Sequence, residues 1–405
     1  MSQTLNIGIL GFGVVGQGFY EIFTQNRPEG FSIQRIAAKN PGKERQPLEA
    51  VIEYEAEAIV DDKRIDIVVE AINDAQTAYH LAKRALSNGK HVISANKQML
   101  ASHFPELVKI AQHQGVTLLF EGAVGGVIPI LQNLKNYHKN DRISSIEAII
   151  NGSSNYILTQ LFETERSYNQ AVKEAQTKGF AELNPAEDVG GHDAAAKLSL
   201  ITSLAFNTYL DTSQITTLGI ENIQNADIAF AQQFDLSIKQ IGKIQRFNEK
   251  LSAYVLPSFV SQSNPLYHIK NEFNALKIVG SNSGEQVLSG KGAGKLPTGF
   301  AVYNDLLKVH TEHPSSITAA PTAHQAHNPI LSVYVRLGSY NLALKTAGFE
   351  VIEQLEPRTF LAEIALNNLL AFSKKPVSQS VLVIEASALT ERETTSLRKV
   401  ALTET

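Results

Sequence analysis

Over the first 140 positions of the chain, short apolar runs alternate with longer stretches in which apolar residues recur at helical spacing. The runs at residues 4–10, 31–38, 65–71, 91–95 and 117–120 predict strands. Residues 75–88 predict a helix, and Gly89 stands where a glycine commonly ends one. Strands that alternate with helices indicate βαβ units. We therefore predict an α/β domain of the Rossmann type, built on a parallel sheet, over residues 1–138.

The pattern changes after about residue 140, which predicts a second domain. A strand-like run at 145–150 is followed by helix-rich sequence to about residue 209, and further strand-like runs lie at 251–256 and 275–279. We predict an α+β catalytic and dimerisation domain over 139–289. Residues 290–310, which open on a glycine-rich stretch, are expected to complete the first domain.

The last part of the chain predicts a linker and a small third domain. Residues 311–330 are rich in histidine and proline and show little periodicity, which is typical of a linker. Residues 331–405 contain strand-like runs at 331–337 and 380–384, with helical patterns at 360–372 and 391–401. They predict a small α+β domain.

Composition narrows the possible functions. The 405 residues include no cysteine, which excludes disulfides, thiolate metal sites and cysteine nucleophiles. The formal net charge of −4 offers no basic excess for a nucleic acid or an anionic membrane, so the expected partner is a small molecule. Glycines interrupt the apolar opening stretch, and no apolar run reaches the roughly 18 residues that a spanning helix needs. The expected location is therefore the cytoplasm.

A glycine pattern at residues 11–16 predicts a dinucleotide site. Gly11, Gly13 and Gly16 lie between a predicted strand and a predicted helix. The first permits a tight turn, the second lets the backbone approach a pyrophosphate, and the third lets helix and strand pack closely. A glycine-rich turn without a ligand is the alternative interpretation.

The end of the second predicted strand favours NADP, although NAD stays possible. Sites for NAD usually carry an acidic residue here that accepts a hydrogen bond from the ribose. This chain has Ala38, Lys39 and Asn40, with Lys43 and Arg45 close by, and such cations suit a 2′-phosphate. The alternative is a group of solvated loop cations.

The acid-rich segment 179–198 is the densest polar cluster in the chain. Without cysteine, an aldehyde cannot be oxidised through a thiohemiacetal, so hydride exchange between an alcohol and a carbonyl remains. Asp193 and Lys197 share a helical face at i,i+4 spacing, so the carboxylate can orient a proton-donating ammonium group. The alternative is an ordinary surface ion pair. His192 is interpreted as a bystander.

Three further patterns bear residues suited to chemistry. Lys97 follows a predicted strand end, where ligands bind in open α/β sheets, or else it simply opens a helix capped by Asn96. The turn after Glu121 offers carbonyls and a carboxylate to a hard cation, or else it is a tight strand-to-helix connection. The histidines of residues 310–327 have no helical frame, so we do not predict a metal site there. They are His310, His313, His324 and His327.

Taken together, these segments resemble homoserine dehydrogenase over about residues 5–310. The matching stretches are residues 11–16, 89–97, 121–130, 151–158, 179–198 and 290–298. The fourth and fifth are the most specific. The resemblance implies an oxidoreductase of threonine, methionine and isoleucine biosynthesis that interconverts L-homoserine and L-aspartate 4-semialdehyde with NAD(P). It also implies a homodimer or homotetramer.

The resemblance implies roles for individual residues. Lys197 would exchange the proton at the reacting oxygen, Asp193 would orient Lys197, and Lys97 would lie between nicotinamide and substrate. Glu182 would bind the substrate's ammonium group, supported by Asp188. Gly152 and Ser153 would line the substrate pocket. The implied ligands of a monovalent cation, Na⁺, are Glu121, Val124, Gly126 and Ile128. The predicted cofactor contacts are Gly11, Phe12, Gly13, Val14, Val15, Gly16, Lys39, Lys97, Gly179, Gly292 and Gly294.

The chain departs from the family pattern in several places. Lys39 stands in a stretch that often reads Val-Arg-Asp, Phe180 stands where tyrosine is common, and Asn73 with Asp74 replaces a usual Gly-Gly. The tail resembles an ACT regulatory domain, with residues 333–337 as its first strand and 380–401 as its closing strand and helix. Residues 356–361 are interpreted as a displaced remnant of its effector loop, which makes the domain degenerate.

Two other functions stay open on sequence grounds. One is an NADP-dependent oxidoreductase that acts on another small hydroxy or amino acid. The other is a non-catalytic dinucleotide sensor that signals through the tail. The joint presence of Lys97, Glu182, Asp188, Asp193 and Lys197 disfavours the sensor.

Overall fold

The structure is a computed structural model that describes residues 4–40, 50–164, 166–311, 327–338, 343–375, 381–386 and 388–389. The strands are β1 (Leu5–Leu10), β2 (Phe31–Ala37), β3 (Val51–Glu53), β4 (Ile67–Glu70), β5 (His91–Ser94), β6 (Leu118–Leu119), β7 (Ile143–Ile149), β8 (Thr216–Thr217), β9 (Leu236–Phe247), β10 (Lys250–Ser261), β11 (Phe273–Gly280), β12 (Gly284–Lys291), β13 (Ile330–Leu337), β14 (Glu350–Glu356), β15 (Thr359–Ala365) and β16 (Val381–Glu385).

The helices are α1 (Val14–Asn26), α2 (Glu57–Val60), α3 (Ala75–Ser87), α4 (Lys97–Gln114), α5 (Ile130–Gln132), α6 (Gly152–Glu163), α7 (Tyr168–Thr177), α8 (Ala186–Val189), α9 (His192–Ala205), α10 (Asn225–Gln233), α11 (Lys295–Lys308) and α12 (Leu366–Ser373). In the described part of the chain, none of these helices has both the length and the apolar character that a membrane crossing requires.

The chain forms two compact units. The first takes the described residues of 1–140, 199–211 and 290–322, and the second takes those of 141–198, 212–289 and 323–405. The residues of the predicted tail therefore group with those of the predicted catalytic domain.

The first unit contains a six-stranded sheet in the order β3-β2-β1-β4-β5-β6, and each described pairing is parallel. This is the strand order of a Rossmann dinucleotide-binding fold, so the predicted fold class is confirmed for this unit. The central strand β4 is buried along its whole length, as expected for a parallel sheet covered on both faces. Helix α11 packs closely on α1 at a point where Gly299 faces Gly18. A side chain would not fit there, since a Cβ on Gly299 would lie 2.5 Å from the carbonyl carbon of Gly18.

The second unit is built on a mixed ten-stranded sheet in the order β12-β11-β7-β9-β10-β16-β13-β15-β14, with β8 beside β10. The tail strands continue the sheet of the catalytic strands through β16, whose Glu385 pairs with Ser258 of β10. One hydrophobic cluster joins Ile157 of α6 and Ile228 of α10 to Tyr334 of β13. The tail therefore shares a core with the catalytic helices.

A buried ion pair also ties the tail to the second unit. The guanidinium group of Arg336 donates to both carboxylate oxygens of Asp227, at 2.7 and 2.8 Å, and the Tyr334 hydroxyl donates to the same carboxylate at 3.0 Å. Asp227 is fully buried. A further bond runs from Arg336 to the carbonyl oxygen of Asn222.

All six strands predicted for the first 150 residues are present, but the prediction for the tail was partly wrong. Residues 360–372 were expected to be helical, whereas Thr359–Ala365 form β15 and the helix α12 begins only at Leu366. Tertiary contacts favour the strand here, because β15 pairs with β13 on one side and with β14 on the other. Its residues Thr359, Ala362 and Ile364 are buried. The strands β3, β8, β9, β12 and β14 were also missed.

The interpretation of residues 356–361 as a displaced effector loop was also wrong. The expected effector loop is the first loop of the tail, whereas these residues form the later hairpin between β14 and β15, with its turn at Pro357 and Arg358. The four tail strands run in the order β16-β13-β15-β14. The predicted helix at 391–401 lies outside the described residues.

Candidate active site

The glycine loop joins β1 to α1 in a conformation that requires glycine. Gly11 has a φ of +92°, and a Cβ there would lie 2.5 Å from the carbonyl oxygen of Ala71. A Cβ on Gly16 would lie 2.2 Å from the carbonyl oxygen of Gly11. Among the described residues beyond its chain neighbours, no atom lies within 4 Å of such a Cβ on Gly13, which precedes α1. The N-terminus of α1 is therefore open to an anion such as a pyrophosphate.

At the carboxyl end of β2, Ala37 and Ala38 are buried and Lys39 is exposed. Asp74, which caps α3, has a pKa held below its usual value, chiefly by hydrogen bonds from Thr77 and to a smaller degree by the charge of Lys39. Lys39 thus contributes positive potential beside the glycine-loop strands. The neighbouring Lys43 and Arg45 lie outside the described residues.

A buried carboxylate stands at the carboxyl end of β4. Glu70 accepts hydrogen bonds from the Ser94 hydroxyl at 2.5 Å and from the Ile72 N–H at 2.6 Å. Burial raises the pKa of Glu70 to about 7. We did not predict this group, although an acid that ends a wholly apolar strand was a usable signal.

Glu70 supports the segment that opens α4. The Asn96 N–H donates to the Ser94 hydroxyl at 3.1 Å, and the Asn96 side chain accepts from the Met99 N–H at 2.9 Å, which caps the helix. Lys97 is the first residue of α4 and is half-buried. The capping role considered for Asn96 is therefore present, and it places Lys97 at the carboxyl edge of the sheet.

The predicted cation turn surrounds a buried carboxylate. Both oxygens of Glu121 accept backbone hydrogen bonds at 2.9 Å, one from Leu131 and one from Gln132, while the Glu121 N–H donates to Asp305. Burial, and then the nearby charge of Asp305, raise the pKa of Glu121 to about 8. We did not predict Asp305, because it stands far away in the sequence.

The turn itself depends on glycines, and it touches another predicted cofactor segment. Gly125 and Gly126 both have positive φ. A Cβ on Gly126 would lie 2.6 Å from the carbonyl carbon of Gly292. Val124 and Ile128 are buried beside them. Gly294 precedes α11 with a φ of +127°.

In the second unit, Lys197 and Asp193 form a buried pair on α9. Their side chains meet at 2.6 Å, and the Lys197 ammonium group also donates to the carbonyl oxygen of Ile150 at 2.8 Å. Both residues are more than nine-tenths buried. The interpretation as an ordinary surface pair is therefore wrong. His192 is exposed, which agrees with a bystander.

Asn151 connects this pair to Asp188. Its side-chain amide donates to Asp188 at 2.7 Å and to Asp193 at 2.9 Å. Burial, and then the charge of Asp193, raise the pKa of Asp188. Asn151 opens the matching stretch 151–158, but the sequence alone assigned it no role.

The start of α6 brings two more predicted residues to this cluster. A Cβ on Gly152 would lie 2.9 Å from the carbonyl oxygen of Glu272, so the position favours glycine. The Ser153 hydroxyl donates to the carbonyl oxygen of Phe180 at 2.5 Å.

Glu182 and Gly179 lie in the connection between α7 and α8. Gly179 has a φ of +77°, and the backbone carbonyl of Glu182 accepts from Gln176 at 3.0 Å. The Glu182 side chain is exposed. The structure thus gathers Asn151, Asp188 and the Lys197 pair by direct contacts, whereas Glu182 extends into solvent.

Two of the four histidines of residues 310–327 are described, and both make aromatic contacts. The ring of His310 lies 5.0 Å from that of Phe31, and His327 stacks on Phe247 at 4.7 Å. His313 and His324 lie outside the described residues. Among the residues that the structure describes, no group of three or more His, Cys, Asp or Glu side chains could hold a metal ion.

A Rossmann unit with an open glycine loop and a second unit with a buried lysine–aspartate pair define an oxidoreductase that uses a nicotinamide cofactor. Comparison with known proteins makes the class specific. The family model described as "Homoserine dehydrogenase" matches residues 129–307, and the model described as "Homoserine dehydrogenase, NAD binding domain" matches residues 11–121. The chain belongs to the homoserine dehydrogenase family.

Individual relatives cover most of the chain. The homoserine dehydrogenase of Bacillus subtilis is 34% identical over 317 residues, covering 76% of this chain and 73% of that protein. That of Pseudomonas aeruginosa is 31% identical over 396 residues, covering 94% and 91%. The crystal structure of a homoserine dehydrogenase from Thiobacillus denitrificans has a TM-score of 0.83 and 27% identity, covering 95% of this chain and 99% of that one.

Proposed function

We propose that this chain interconverts L-homoserine and L-aspartate 4-semialdehyde by direct hydride transfer with an NAD(P) cofactor. The observation that carries the proposal is the buried Lys197, which Asp193 and the Ile150 carbonyl hold in one orientation. An ammonium group has three N–H donors, and contacts within the described residues use two of them. The third is left for the oxygen of a substrate.

In the oxidation direction, unprotonated Lys197 accepts the proton of the substrate hydroxyl as the carbinol carbon gives up a hydride. When bound, the nicotinamide supplies the hydride acceptor. In the reverse direction, protonated Lys197 gives its proton to the aldehyde oxygen. Asp193 stabilises the ammonium form and orients the side chain.

The substrate's amino group needs an acidic contact. We assign Asp188 and Glu182 to it, with Gly152 and Ser153 as pocket residues. The half-buried Asp188 supports the assignment, because a carboxylate in such a site favours a cationic partner. The exposed Glu182 is assigned from the family resemblance alone.

We assign cofactor binding to residues 11–16, to Lys97, and to Gly179, Gly292 and Gly294. We further propose a preference for NADP, supported by the exposed Lys39 beside the glycine-loop strands. We also propose that the chain assembles into a homodimer or homotetramer, and light scattering of the purified protein tests this.

We propose that Glu121 and the carbonyls of Val124, Gly126 and Ile128 hold a monovalent cation such as Na⁺. The residues fit this role, because a buried carboxylate keeps further lone pairs after accepting two backbone hydrogen bonds. A second buried carboxylate, Asp305, adds negative charge. Thermal unfolding in sodium chloride and in tetramethylammonium chloride tests the site, with a higher midpoint expected in sodium.

The test of function follows the absorbance of reduced nicotinamide when the purified chain is mixed with L-homoserine and NADP⁺ or NAD⁺ in the presence of Na⁺ or K⁺. Turnover supports the proposal. Dinucleotide binding without turnover on any small hydroxy or amino acid supports the sensor instead, and turnover on another such substrate supports the other oxidoreductase.

A further inference from the structure

Asn151 lies between β7 and α6, and both its amide oxygen and its amide nitrogen make hydrogen bonds. Its amide oxygen accepts the Ser154 N–H at 2.8 Å, which caps α6. Because the cap requires the oxygen on that side, the amide nitrogen must face the other way. Its two hydrogens then meet Asp188 at 2.7 Å and Asp193 at 2.9 Å.

The two carboxylates belong to different elements and repel each other. Asp188 lies on α8 and Asp193 on α9, and each carries a separate role in the proposed reaction. A single neutral amide that donates one hydrogen to each holds both charges without adding or removing any. Asn151 itself is 4% exposed, so water does not compete for these bonds.

We propose that Asn151 is a positioning residue of the substrate site. It holds the carboxylate assigned to the substrate's ammonium group at a fixed spacing from the carboxylate that orients Lys197. The inference rests on the proposed function, which assigns those two roles. It implies that Asn151 helps to match the site to a substrate whose amino and hydroxyl groups are a set distance apart.

The substitution Asn151→Ser separates this role from the helix cap. Serine is a preferred cap residue, and its hydroxyl can accept the Ser154 N–H, but it lacks the two amide hydrogens. Asn151→Asp also keeps a capping oxygen and replaces the two donors with a third carboxylate. Thermal unfolding of each variant reports whether the fold is kept.

The informative readout is the pH dependence of kcat/KM for L-aspartate 4-semialdehyde, because Lys197 acts in its protonated form in that direction and does not itself set the acidic limb. The charged groups near Asp188 are Asp193 and Lys197 on α9 and Glu187 on its own helix, and Asn151 is its neutral donor. Loss of the Asn151 donor removes a bond to the charged form of Asp188, so its pKa rises further. The acidic limb of the profile should then move up by about half a pH unit or more in Asn151→Ser, and further in Asn151→Asp.

A second readout compares L-homoserine with its homologue that is one methylene longer. We expect Asn151→Ser to lose at least about tenfold in kcat/KM for L-homoserine and to discriminate less between the two substrates. If activity falls while the acidic limb and the discrimination stay in place, or if nothing changes, the positioning role is wrong. If Asn151→Ser does not fold, Asn151→Asp decides by the same criteria. An inactive wild-type chain would instead refute the proposed function. The wild type is assayed before the variants, so the two failures are distinguished.

Discussion

The ammonium nitrogen of Lys197 lies 2.6 Å from the carboxylate of Asp193, one helical turn earlier in α9. Both side chains are buried, so solvent does not screen the pair as it would on a surface. The geometry holds the lysine in one orientation and makes it the group on which the proposed reaction depends.

Replacing Lys197 by alanine should abolish most turnover in both directions. We expect a loss of about 10²–10⁴-fold in kcat, the range attributed to a positioned proton donor. Dinucleotide binding should persist, because the glycine loop belongs to the first unit. Steady-state kinetics and a fluorescence titration with NADPH measure the two effects.

His192→Ala, at the exposed start of the same helix, is the matched control for Lys197→Ala and should stay active. Surviving turnover in Lys197→Ala would contradict the proton-exchange role.

Replacing Lys39 by alanine should weaken NADP⁺ without affecting NAD⁺. A lost contact between a cation and a phosphate predicts a rise of roughly 10–100-fold in KM for NADP⁺. The exposed Lys109 on α4 supplies the control substitution, and Lys109→Ala should leave both values unchanged. Equal effects on the two cofactors would refute a 2′-phosphate contact by Lys39.

Replacing Glu70 by glutamine should change how stability depends on pH. The pKa of Glu70 is about 7 in the folded chain against 4.5 in its ordinary state, so the folded protein binds a proton that the unfolded chain has released. This contribution to stability is complete below about pH 4.5 and is lost as pH rises through 7. Glutamine imitates the protonated form.

Glu70→Gln should therefore be more stable than the wild type above pH 8, by up to roughly 3 kcal/mol, and should match it near pH 4.5. Urea unfolding at a series of pH values measures the difference. The exposed Glu57→Gln, also in the first unit, is the control and should follow the wild type. A constant difference across the pH range would show that Glu70 does not titrate as described.

Replacing Arg336 by methionine should destabilise the second unit. The substitution leaves the fully buried Asp227 without its cationic partner, which typically costs about 3–5 kcal/mol. Adding Asp227→Asn to it should recover part of the loss, because the uncompensated charge is then gone. Urea unfolding measures both variants.

Arg358→Met is the control for that experiment, since Arg358 is exposed and, within the described part of the chain, its side chain makes one hydrogen bond, to the Gly338 carbonyl. It should cost less than about 1 kcal/mol. An equally small effect at Arg336 would mean that the tail is not anchored through this ion pair.

Local patterns predicted much of the first unit. Gly11 has a positive φ, and Gly16 is required by contact with backbone five residues earlier, so a short sequence pattern identifies both. The pairing of Asp193 with Lys197 follows from helical spacing in the same way. The helix predicted at 360–372 failed because β15 is decided by its neighbours β13 and β14, which local periodicity does not reveal.

The sequence by itself determined the dinucleotide fold, the family and the segments that carry the chemistry, because these depend on residues close together along the chain. Only the tertiary structure decided which side chains meet across long separations. Asn151 reaches Asp193 over 42 residues, and Glu121 meets Asp305 over 184. The tertiary structure also decided that the tail shares a sheet and a hydrophobic core with the rest of the second unit. Such contacts form only when elements that are distant in the sequence pack together. Burial then strengthens the interactions between their charges, because solvent no longer screens them.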